Sequence, residues 1–131
     1  MSEQGIFPNE MRTIRDFQAF HRWMDEQKGW EKNLMLNMVL LTGEVGEVAN
    51  EIKKLHWRAS LLAQEMGPEA AQASAEAEYR GDLGAELADC LAYLFKIANN
   101  AGIDLEEAYL TKMERNVKRQ WIAPKPGSQG E

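Results

Sequence analysis

The strongest constraint on the fold is the run LMLNMVLL at residues 34–41, which leads without a breaker into TGEVGEVANEIKKLHW. Its first half is apolar on nearly every side of a 3.6-residue helix, which marks a central, buried helix rather than a surface one. The helix is expected to start near Asn33 and to run as far as Met66, where Gly67-Pro68 ends it.

Three further helices are expected around it. Met11, Ile14, Phe17, Ala19, Phe20, Trp23 and Met24 recur at three- and four-residue spacing, which predicts a helix from about Glu10 to Lys28 closed by Gly29. A third helix is expected from about Asp82 to Asn100. A fourth should start at Asp104, an N-cap with Glu107 three residues on, and continue to about Trp121. Residues 67–81, rich in Ala and Glu, have high helix propensity and little to bury, and read as an exposed helical insertion or mobile connector. The final stretch, 122–131, reads as a disordered tail. Strand alternation and repeats are missing from the 131 residues. The expected architecture is therefore all-α: one domain over 1–121, an antiparallel four-helix bundle.

Charge and cysteine content narrow the function. A net charge of −6 argues against a nucleic-acid polymer as partner. The lone Cys90 allows no intrachain disulfide and fits a reducing compartment. No apolar run is long enough for a membrane span, and MSEQGIFPNEMR lacks the pattern of a secretory signal, so a cytoplasmic, membrane-free protein is expected.

The second helix carries Glu44-Val-Gly-Glu47 and the third carries Glu86-Leu-Ala-Asp89. Residues at i and i+3 share a helix face, so each pair points one way. Asp82 and Tyr93 fall on the same face of the third helix. Four carboxylates that converge between packed helices repel one another unless a cation holds them. Mg²⁺, a hard ion that prefers oxygen ligands and substrate phosphates, suits such a set. Gly43, Gly46 and Gly84 lie inside the two helices, where each costs roughly 1 kcal/mol relative to alanine. Close helix approach beside the carboxylates and simple packing are the two readings of them.

Glu-x-x-Glu followed on a later helix by Glu-x-x-Asp resembles the signature of the all-α nucleoside triphosphate pyrophosphatases, the MazG-like superfamily. The resemblance covers roughly residues 14 to 121. It implies a Mg²⁺-dependent enzyme, with Mn²⁺ able to substitute, that converts a nucleoside triphosphate and water to the monophosphate and pyrophosphate. It implies Glu44, Glu47, Glu86 and Asp89 as metal ligands and catalytic residues. Tyr93 stands after the second motif as in dCTP-pyrophosphatase-like members. Lys112 and Asn116 resemble the family's closing K-x-x-x-N element, and His21 and Trp30 are similar to base-pocket residues of the same branch. The gap between Glu47 and Glu86 is longer than usual in the family, the excess being the 67–81 segment.

Other residues carry weaker expectations. Lys112, Asn116 and Arg119 share one stripe of the fourth helix with Tyr109. The first two are assigned to phosphate and sugar, and Arg119 to the helix dipole. Lys54, beside Lys53, is a candidate phosphate ligand, and Trp57 a further substrate contact. Cys90 reads as a small core residue.

The chemistry these residues support is metal-assisted hydrolysis at the α-phosphorus, with a carboxylate of the first motif as base. Two other readings compete: a non-catalytic helical interaction module, and a di-iron carboxylate bundle. The latter needs Glu-x-x-His pairs, and Glu47 and Asp89 stand where histidine would be required. Apolar side chains on almost every face of the second helix, Met35, Met38, Val39 and Leu41 among them, predict a homodimer or homotetramer.

Overall fold

In the computed structural model, which describes residues 5–30 and 32–119, four helices follow one another: α1 (Ile14–Lys28), α2 (Leu34–Met66), α3 (Pro68–Asn100) and α4 (Leu105–Lys118). The all-α class is as expected from the sequence. Trp121 and segment 122–131 lie outside the described residues.

Caps set the helix limits. Thr13 Oγ1 accepts from Asp16 N at 3.1 Å, and the Asp16 carboxylate accepts from Thr13 N at 3.0 Å, a complete capping box. The Thr13 N–H, followed by the Arg12 N–H, holds the Asp16 carboxyl below its ordinary value. The box starts α1 at Ile14 rather than at Glu10. Gly29 stops it in the left-handed region at φ 63°. Asn33 caps α2 by accepting from Leu36 N at 3.0 Å.

α2 and α3 are each 33 residues long, about 50 Å at the helical rise. Gly67 alone joins them, at φ 86°, ψ 162°, and Pro68 opens α3, where its missing N–H is harmless. A one-residue link makes the pair antiparallel. The ion pair Arg58 Nε–Glu78 Oε2 at 3.0 Å fixes the register, as does the approach of Glu44 to Glu86 and Asp89.

The 67–81 segment is helical and mostly exposed: after Gly67 it forms the first part of α3, continuous with the helix expected from Asp82. Ala71 and Ala75 are wholly buried, and Ala59 of α2 is buried too. Alanines four residues apart give a smooth stripe on which a second helix can lie close. That stripe looks like nothing to bury until the opposing helix is present.

α1 packs on the C-terminal half of α3, with Phe17 and Phe95 ring centroids 5.9 Å apart. Buried Gln18 fastens the α3–α4 turn: Leu105 N donates to its side-chain oxygen at 3.0 Å, and its side-chain amide donates to the Ile103 carbonyl. Arg15 pairs with Asp104 at 2.8 Å and with Glu106 at 2.7 Å. The Arg15 hydrogen bond, with the Glu107 N–H capping bond, holds the Asp104 carboxyl below its usual range. α4 is thus tied to α1 by polar contacts and buries none of its own residues.

The apolar core of the single chain is small: Leu41, Ala59, Ala71, Ala75, Phe95 and Ala98. Large apolar residues remain outside it, among them Met35, Met38 and Val39 on α2, Leu87 and Leu91 on α3, and Leu110 and Val117 on α4. Among the described residues, no helix is long and apolar enough to cross a membrane.

Candidate metal and nucleotide site

The α2–α3 register brings Glu44, Glu86 and Asp89 together. Each offers a carboxylate oxygen, and these atoms all lie within 4.8 Å of one another. Glu44 and Glu86 are half-buried and Asp89 is exposed. Glu47 is exposed and outside this trio, yet near enough for its charge to act on Glu86. Burial, followed by the charges of Asp89, Glu44 and Glu47 and a hydrogen bond with Glu44, raises the Glu86 carboxyl above its ordinary value. The cluster therefore draws positive charge. Two oxygens on opposite sides of one Mg²⁺ are about 4 Å apart. The observed spacing needs little closure to share an ion, and the all-oxygen donor set fits a hard divalent cation. Cys90 lies beside the trio, but burial and the same acids push its thiol up, away from the thiolate a metal would need.

Tyr93, one turn beyond Asp89, joins this cluster to a cavity. Burial, then the charges of Glu44, Asp89 and Asp25, raise its hydroxyl, which stays protonated and able to donate. The cavity measures about 290 Å³ and is lined by Trp30, Asn37, Leu40, Tyr93 and Lys96. Lys96 Nζ lies 4.9 Å from the Trp30 ring centroid and 5.1 Å from that of Tyr93. Its ion-pair partner is Asp25, with Oδ1 at 3.5 Å. Asn37, Asp25 and Lys96 are 1%, 3% and 8% exposed, respectively, unusual burial for such residues. The sequence reading missed all three. Their only signal was position: Asn37 interrupts an apolar run, Lys96 follows LAYLF, and Asp25 lies one turn from His21 on the same face.

The remaining candidates fall in different places. His21 is turned onto Phe95, stacked at 5.5 Å and 18°, and does not line the Trp30 cavity. Burial pushes its ring pKa down, and Nδ1 is buried without a hydrogen-bond partner. Lys54 Nζ is paired with buried Glu51 Oε1 at 3.0 Å, the bond that raises its pKa. Trp57 is exposed with Lys53 Nζ 5.2 Å from its ring centroid, roughly 20 Å of helix from Glu44. Lys112 lines a surface depression formed by α4 and its cap, which none of the carboxylate trio borders. Asn116 contacts Met113 Sδ at 3.8 Å on its own helix. Both residues are carried on α4, whose contacts are with α1. The glycine readings also change. A Cβ at Gly43, Gly46 or Gly84 would meet nothing within 4 Å, so no close approach inside the single chain requires them.

Residues 32–121 match the MazG nucleotide pyrophosphohydrolase domain. The chain is 32% identical over 121 residues to dCTP pyrophosphatase 1 of Rattus norvegicus, covering 88% of this chain and 64% of that protein. It is 34% identical to dCTP pyrophosphatase 1 of Bos taurus over the same shares. The Homo sapiens protein of that name is 32% identical over 82% of this chain and 58% of its own length. The chain thus spans less than two thirds of the length of these relatives. No solved structure matches it significantly. The motif pair, the helical hairpin that joins it and the domain match have one reading: this chain belongs to the MazG nucleotide pyrophosphohydrolase family.

Proposed function

We propose that the chain hydrolyses a nucleoside or deoxynucleoside triphosphate to the monophosphate and pyrophosphate in a Mg²⁺-dependent reaction, with Mn²⁺ able to substitute. The observation that carries this reading is the convergence of Glu44, Glu86 and Asp89 oxygens within 4.8 Å. These three would hold the ion, which supplies counter-charge to the triphosphate and Lewis acidity. Glu47, exposed beside the trio, takes the proton from the attacking water on its carboxylate. The Tyr93 hydroxyl donates to a substrate oxygen. Trp30 receives the base in its cavity, with the ring face available for stacking, a contact worth roughly 1–3 kcal/mol. The relatives' names make dCTP the first substrate to test. A screen of natural dNTPs and NTPs with Mg²⁺, and again with chelator, should yield monophosphate and pyrophosphate only with metal. Absence of Mg²⁺ binding by the four acids, followed by calorimetry with Mg²⁺ and non-hydrolysable triphosphates, would favour the non-catalytic interaction module. The inferred role is control of the nucleotide pool in the cytoplasm, consistent with the lone Cys90.

The chain also acts as a homodimer or homotetramer in this reading. Met35 is 78% exposed and Val117 84%, and the glycines beside the acids open onto space. Apolar surface of this extent is what a second copy would cover. A second copy is also a route for Lys112 and Asn116 to reach a carboxylate cluster. Static light scattering should give a multiple of 14.9 kDa; a stable monomer at working concentration would refute this.

A further inference from the structure

We propose that Lys96 is a specificity-determining residue that reads a ring carbonyl of the nucleobase, with Asp25 as its positioning partner. The inference rests on the nucleotide-site reading above and names what the base pocket selects. A lysine ammonium has three donors and no acceptor. Among the described residues, Lys96 donates no hydrogen bond: its contacts are two ring faces and Asp25 Oδ1 at 3.5 Å. A charge-assisted bond is normally 2.7–2.9 Å, and Asp25 Oδ1 is buried without a hydrogen-bond partner. The pair is loose, and it is open on the cavity side at Lys96, which lines the cavity whereas Asp25 does not.

The rest of the lining favours the same ligand chemistry. The Trp30 indole N–H only donates, and the Tyr93 hydroxyl and Asn37 amide can both donate and accept. A base entering between Trp30 and Tyr93 meets two groups that only donate, the Trp30 indole N–H and the Lys96 ammonium. Cytosine, uracil, thymine and guanine each carry a ring carbonyl to receive them. Adenine has none: its acceptors are ring nitrogens, which offer the ammonium a weaker partner than a carbonyl oxygen. Asp25 aims Lys96 while the site is empty.

Metal-free binding of dCMP, dUMP and dAMP, followed by calorimetry, tests this without turnover. The wild-type protein should bind dCMP and dUMP at least tenfold more tightly than dAMP. The double variant Asp25→Leu/Lys96→Met, which removes both charges together, should keep its melting temperature and reduce that ratio below twofold. Lys96→Arg, which keeps a cationic donor, should retain a preference against dAMP. A wild type without preference, or a double variant that keeps it, would overturn the proposal. If the double variant fails to fold, Lys96→Met decides by the same ratio. The screen for hydrolysis is independent. Discrimination among monophosphates without triphosphate turnover would sink the enzyme reading and leave the base pocket standing, whereas turnover with no effect of Lys96 would do the reverse.

Discussion

Glu86→Gln and Asp89→Asn should each lower turnover on the order of a hundredfold or more, with no loss of melting temperature. The two effects have one cause. Glu86 feels the charges of Asp89, Glu44 and Glu47 at once, so the cluster is strained by repulsion when no cation is present. Neutralising one member should relieve the fold and, on the proposed function, remove a ligand for the ion that balances the triphosphate. Glu44→Gln should behave the same way, because Glu44 belongs to the trio. Glu47→Gln should separate from the others. It lies outside the trio, so Mg²⁺ binding should survive while kcat falls. Calorimetry with Mg²⁺ and steady-state kinetics on the four variants check this. Wild-type turnover in two of the trio variants would remove the site assignment.

Asp25→Ala should be the most destabilising single change in the α1–α3 contact, costing about 3–5 kcal/mol because it strands the buried Lys96 ammonium. The whole stability of a domain is typically only about 5–15 kcal/mol, so much of the protein would unfold on mild heating. Adding Lys96→Met should return most of the loss, since a buried ion pair replaced by apolar groups is often neutral. Urea unfolding at fixed protein concentration measures both variants. A cost within about 1 kcal/mol for Asp25→Ala, typical of a surface pair, would show that the pair is solvated rather than buried.

The sequence carried the helix class and the paired acids because both depend on local spacing. Asn33, Gly29 and Asp104 cap or stop helices by chemistry within a few residues of themselves, and each does so here. The i, i+3 rule placed Glu44 with Glu47 and Glu86 with Asp89 on common faces. It could not say which oxygens turn inward, and Glu47 stays outside the trio. What was illegible depended on the opposing helix. Ala71 and Ala75 look uninformative until α2 lies against them. Lys96 and Asp25 look like ordinary solvated charges until α1 and α3 close over both. Lys112 and Asn116 fit a family motif, but where they sit follows from the packing of α4 on α1, which no motif encodes.

The proposed reaction is attack by water at the α-phosphorus of a triphosphate held on the carboxylate trio. Hydrolysis in water enriched in oxygen-18, with mass spectrometry of both products, reads out which phosphorus is attacked. One heavy oxygen is expected in the nucleoside monophosphate and none in the pyrophosphate. Label in the pyrophosphate, or release of labelled orthophosphate in its place, would refute it.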